Sequence, residues 1–148
     1  MKPSLAPGLS GTFRYTVPPE RTVPHAYPDA PDFQLMPAVF ATGYFVALCE
    51  WAAIELLKPH LDWPAEQSLG TRIDLTHLAA TPPGLTVSVT VRLTAVEGRK
   101  LAFAVSAHDG IDLIGEGTHE RHVIDAARFD AKLRSEERRV GKECRSRW

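Results

Sequence analysis

A chain of 148 residues with 44% apolar and 24% charged side chains has the material for one well-packed domain. Its 17 Lys and Arg against 18 Asp and Glu leave a formal net charge of −1, which excludes the basic bias of a nucleic-acid binder or an anionic-membrane protein and the extreme charge of a disordered tail. Cys49 and Cys144 lie far apart without a partner motif, so a disulfide scaffold is excluded too, and Cys49 sits in an apolar run as a buried free thiol would.

Eight of the twelve prolines fall in the first 37 residues, so this part is expected to wrap the domain in an extended form with few ladder hydrogen bonds. Residues 1–31 contain no 7–15-residue apolar stretch of a secretory signal, which points to the cytoplasm. Residues 11–17 are the exception to the wrap. Phe13, Tyr15 and Val17 alternate there with Thr12, Arg14 and Thr16, the period of a half-buried strand. The longest uncharged run, residues 33–49, is broken by Gln34, Pro37, Thr42 and Gly43 and falls short of a membrane span of about 20 apolar residues.

A helix is predicted over residues 42–57, ended near Pro59. Phe45, Leu48, Cys49, Ala52 and Leu56 form one stripe and Gly43, Ala47, Glu50, Ile54 and Leu57 another, so it should be covered on most sides. Four strands follow, over residues 70–78, 85–96, 101–107 and 111–124, separated by turn signals at Pro82-Pro83-Gly84, Glu97-Gly98 and Asp109-Gly110. In the second, Leu85, Val87, Val89, Val91, Leu93 and Ala95 share a face. A short closing helix is expected at residues 125–133. The order gives an α+β fold with no repeat or linker, an antiparallel sheet wrapped around a long central helix.

From Arg134 the sequence has no apolar periodicity that could seat it on a fold. It resembles the translated adapter used in short-read sequencing, so the domain is taken as residues 1–133 and residues 134–148 as a non-native tail. The tail holds six of the 17 basic and three of the 18 acidic residues, leaving 11 against 15 and a domain charge of −4. Contacts to an anionic ligand must then come from a few placed cations.

Glu50 is the only charge between Asp32 and Glu55, mid-helix among Leu48, Cys49, Trp51, Ala52 and Ala53. Burying it requires donors or a raised pKa, as a functional carboxylate has; a solvated or salt-bridged position at a subunit edge is the other reading. His77 follows Ile73 and Leu75 on one strand face and should look toward the helix, where a His–carboxylate pair would be a general-base arrangement; a satisfied core histidine is the alternative. Thr42 reads as an N-cap, or as a hydroxyl flanking one pocket with Glu50, eight residues on and about 80° around the axis. Gly70 is a turn residue, or a backbone N–H free to approach an oxyanion. His119 and His122, an odd number apart on a strand, should point oppositely, which disfavours a metal site. No Gly-rich phosphate loop follows a strand into a helix, so no nucleotide or nicotinamide cofactor is expected.

These residues carry a resemblance. Thr22-Val23 with His25 and Tyr27-Pro28, Phe40-Ala41-Thr42-Gly43, Glu50-Trp51-Ala52, Ser68-Leu69-Gly70-Thr71, Thr76-His77, Ala80-Thr81-Pro82-Pro83-Gly84, the run from Val105 through Gly110, and Gly117-Thr118-His119-Glu120-Arg121 are together similar to the hot-dog-fold thioesterases, most of all the fluoroacetyl-CoA thioesterase family, along nearly all of residues 11–133. The resemblance implies a hot-dog homodimer with active sites at the subunit interface that hydrolyses a short-chain acyl-CoA to free acid and CoA. It implies catalytic roles for Thr42, Glu50 and His77, substrate contacts at Gly70 and Arg121, and a lid from residues 23–37. Met36 stands where the fluoroacetyl-specific pattern has a gating phenylalanine, although Phe33 and Phe40 keep their rings. A flexible thioether shapes a small, water-tight pocket less strictly, which predicts looser acyl selectivity. The carboxylate could attack as nucleophile or activate water. Readings from other classes are a hot-dog dimer that binds an acyl thioester or small hydrophobic ligand without hydrolysing it, and an enoyl-thioester hydratase.

Overall fold

The computed structural model describes residues 1–145, with side chains described through residue 139. Cys144 and the other tail side chains beyond that point lie outside the described residues. Five strands, β1 (Ser10–Thr16), β2 (Glu66–Leu75), β3 (Thr86–Glu97), β4 (Lys100–His108) and β5 (Leu113–Asp125), form one antiparallel sheet in the order β1-β3-β4-β5-β2. Three helices join them: a single turn α1 (Pro31–Gln34), the long α2 (Thr42–Leu57) and the terminal α3 (Ala126–Arg145). The sequence-predicted α+β order is the observed one, and α2 has the predicted bounds.

The sheet curls around α2 because one face of each central strand is apolar without interruption. Val87, Val89, Val91 and Leu93 of β3 and Leu101, Phe103, Val105 and Ala107 of β4 are all buried, and Phe45, Leu48, Cys49, Ala52, Ala53 and Leu57 of α2 meet them. Turns to the next strands use glycines with positive φ at Gly84, Gly98 and Gly110.

Two irregularities alter the sequence reading. A bulge between Leu93 and Ala95 leaves Thr94 unopposed in the β3–β4 register, so Val96, not Ala95, packs against the core. A second bulge between Gly70 and Arg72 interrupts the β2–β5 register. Strand β2 ends at Leu75, short of His77, yet residues 76–78 still track β5 through Thr76 N–H to Glu116 O (3.0 Å) and Leu78 N–H to Ile114 O (2.7 Å). That approach needs Gly115 and Gly117, where a Cβ would collide with the carbonyl oxygens of Thr76 and Asp74.

The expectation that α2 is covered on most sides holds for one stripe only. Gly43 and Ala47 of the second stripe are exposed and Glu50 and Ile54 half-buried; Leu57 alone joins the core. Helix α3 continues past the predicted end at 133 because Glu-, Arg- and Lys-rich sequence is intrinsically helical and Asp130 pairs with Arg134 at 2.7 Å. From Ala127 to Arg139 every side chain is exposed, so this extension contributes no core. No helix among the described residues is long and apolar enough to cross a membrane.

Candidate active site

The open stripe of α2 carries two polar clusters. At its first turn, the N-cap position is Ala41, with no side-chain cap. Thr42, which the sequence reads as a possible cap, is therefore one residue inside the helix, and its hydroxyl is spent otherwise: Oγ1 lies 2.8 Å from His77 Nδ1. The His77 ring rests on Phe45, centroids 5.1 Å apart. Burial holds the imidazole below its ordinary pKa, so the ring is neutral at neutral pH and can take a proton from the hydroxyl. Its Nε2 is enclosed and meets no hydrogen-bonding partner among the described residues. His77 does face the helix, as expected.

Glu50 stands two turns further on, about 12 Å along the axis from Thr42 at 1.5 Å per residue. The His77–Glu50 pair expected from sequence does not form. Instead Glu50 Oε1 accepts from Arg121 Nη1 at 3.1 Å, the arginine side chain being 3% and the glutamate 38% exposed. Arg121, expected as a substrate contact, has its guanidinium enclosed: Nε donates to Ser68 Oγ (2.8 Å), Nη2 to Ser68 O (2.7 Å), and Nη1 also lies 3.1 Å from His119 Nε2. Burial presses the guanidinium below its ordinary pKa and Glu50 opposes this; arginine remains the cation.

Gly70 faces this carboxylate from β2. A Cβ there would collide with Glu50 Oε1, so the missing side chain leaves the carboxylate its present position. Around them lies a cavity of about 280 Å³ lined by Val46, Glu50, Gly70, Thr71, Arg72, Ile73 and His119. None of its lining comes from the lid region. Met36 is exposed, Phe33 is half-buried against Tyr27 with ring centroids 5.9 Å apart, and Phe40 is a core residue packed on Phe45 at 6.2 Å. A larger depression, about 520 Å³, lies on the outer sheet face between Ser10, Arg92 and Glu116 and contains none of the site residues expected from the sequence.

The sequence reading overlooked His119 except as a metal ligand. It is buried while His122 is exposed, as strand alternation requires, and among the described residues no group of three or more His, Cys, Asp or Glu is placed to hold a metal. Cys49 is inert: burial first, and the charge of Glu50 second, push its thiol up to about 12.

A family model described as fluoroacetyl-CoA-specific thioesterase matches residues 17–127. The chain is 54% identical over 134 residues to the fluoroacetyl-CoA thioesterase of Streptantibioticus cattleyicolor, a match covering 90% of this chain and 96% of that protein. It is similar to the crystal structure of a mutant fluoroacetyl-CoA-specific thioesterase in complex with fluoroacetate and CoA, with a TM-score of 0.81 and 54% identity over 84% of this chain and 99% of that one. A hot-dog-like protein from Thermanaerovibrio acidaminovorans shares the fold, with a TM-score of 0.73 and 22% identity over 88% and 91% of the two chains.

Proposed function

The chain belongs to the fluoroacetyl-CoA-specific thioesterase family, and from that premise we propose that it is a cytoplasmic homodimeric thioesterase that hydrolyses short-chain acyl-CoA, fluoroacetyl-CoA among them, to the acid and CoA. The observation that carries the site assignment is the pair of clusters on the open stripe of α2: Thr42 hydrogen-bonded to a neutral His77, and Glu50 anchored by Arg121 against Gly70. In this reading His77 is the general acid and base, Thr42 orients or shares in the attack, and Glu50 supplies the attacking or water-activating carboxylate. The Gly70 N–H stabilises the oxyanion. Arg121, implied as a substrate contact, also holds Glu50 through its Nη1.

The two clusters sit two turns apart on α2, a helical rise of about 12 Å from Thr42 to Glu50, and a site shared between two copies would join them. A two-fold axis across the open stripe would bring Thr42 and His77 of one copy toward Glu50 of the other. The surface offered for this includes Leu69 and Ile73, exposed along the unpaired edge of β2. We read residues 134–148 as a non-native tail; every side chain from residue 127 to 139 is exposed. Ending the chain at 133 is expected to leave turnover and Tm unchanged, checked by thiol release and thermal melting.

The test is CoA thiol release from acetyl-, fluoroacetyl-, propionyl- and longer-chain CoA by the wild type and by Glu50→Ala and His77→Ala. Turnover by the wild type and its loss in both variants supports the reading. Full turnover in both variants, or binding of acyl-CoA with no thiol release by the wild type, overturns it. A fluoroacetyl-to-acetyl ratio near unity would mean that Met36 does not preserve the gate. Trapping of an acyl-enzyme on Glu50 separates covalent attack from water activation.

A further inference from the structure

Alternation along β5 turns His119 and Arg121 to the same inner side, and both side chains are buried. His119 Nδ1 lies 2.8 Å from Arg72 O. A carbonyl oxygen can only accept, so Nδ1 carries the proton and Nε2 of the neutral ring presents a lone pair. That lone pair faces Arg121 Nη1 at 3.1 Å, the same nitrogen that donates to Glu50 Oε1 at 3.1 Å. The two hydrogens of Nη1 are thus divided between a histidine behind the guanidinium and the catalytic carboxylate in front of it. With Nε and Nη2 both held by Ser68, the fork has one orientation.

The ring itself has little room to move. Phe103 of β4 stacks on it at 6.2 Å and 29°. On the β2 side its Cε1 is close to Gly70, 3.3 Å from where a Cβ would stand. The charges acting on it are Glu50 from α2, Arg121 beside it on β5 and, from the other face of β5, Glu120; β2 presents the Arg72 carbonyl and β4 an uncharged ring.

We infer that His119 is a positioning residue for the thioesterase reaction: its neutral Nδ1–H tautomer aims Arg121 at Glu50, and protonation of the ring disarms the carboxylate. Protonated Nε2 would point an N–H at the guanidinium, removing an acceptor and adding a like charge. Burial, the largest influence, and Arg121 hold the imidazole below its ordinary pKa, so at neutral pH it stays in the arming form. The inference rests on Glu50 being catalytic, as proposed above.

Two polar variants separate positioning from packing. His119→Gln can keep an acceptor for Arg121, whereas His119→Asn keeps a donor for the Arg72 carbonyl and leaves Nη1 without its rear partner. The asparagine variant is expected to lower kcat on the order of 10- to 100-fold with KM little changed. The glutamine variant is expected to retain kcat and to show an acid limb less steep by one proton than the wild type, since residue 119 then no longer titrates. Equal kcat in the two variants together with a wild-type acid limb overturns the inference. Nitrogen-15 spectroscopy of the wild-type imidazole is an independent readout: an Nδ1–H tautomer supports it and an Nε2–H tautomer overturns it, even where a variant fails to fold. Absence of thiol release by the wild type would remove the thioesterase reading while leaving the tautomer measurement able to decide the geometry.

Discussion

Gly70 matters through the space its missing side chain leaves. Glu50 Oε1 occupies the position a Cβ would need, with His119 beside it. Gly70→Ala should therefore displace the carboxylate and not the strand: kcat is expected to fall on the order of 100-fold with little loss of Tm, measured by thiol release alongside a circular-dichroism melt. At this scale much of the candidate site is legible in the sequence, because Glu50 and His77 are conspicuous as lone polar groups among apolar neighbours. Their partners are not. Nothing in the spacing says that Glu50 meets Arg121, 71 residues away, or that Thr42 reaches His77 across 35 residues. His119 was hidden further, since alternation assigns its side of the strand but not the lone pair it turns on a guanidinium.

Elements carry their own constraint in the β2–β5 pair. Gly115 and Gly117 place the backbone of residues 74–76 where side chains would otherwise stand, and this brings His77 to the first turn of α2. Gly117→Ala is expected to push the two segments apart and destabilise the fold by about 1–3 kcal/mol, read from the denaturation midpoint, with turnover falling through the Thr42–His77 hydrogen bond. Periodicity predicts the strands well where the pleat is regular, as in β3 up to Leu93. It fails at the bulges, because one unopposed residue reverses every later side chain and leaves no mark in composition. The end of β2 at Leu75 is illegible for another reason: residues 76–78 follow β5 by two hydrogen bonds without extending the ladder.

For the molecule as a whole the open stripe of α2 sets the scale of assembly, and it decides how sites are shared. If Thr42 and Glu50 of one site come from different copies, Thr42→Ala and Glu50→Gln homodimers should each be inactive. Mixing them through an unfolding and refolding cycle should restore about a quarter of wild-type activity, since random pairing makes half the dimers hybrid with one intact site each. No recovery, with hybrid formation verified by tagged pull-down, would place all three residues of a site in one copy. The buried anchor of Glu50 has a consequence in time as well. Ser68 and Glu50 leave the ribosome long before Arg121, which belongs to the last strand and must close a loop of 71 residues to reach the carboxylate. A nascent chain, or one cut before Arg121, therefore holds the Glu50 carboxylate without its anchor, and on the proposed reading hydrolytic competence arrives only as synthesis of the domain is nearly complete.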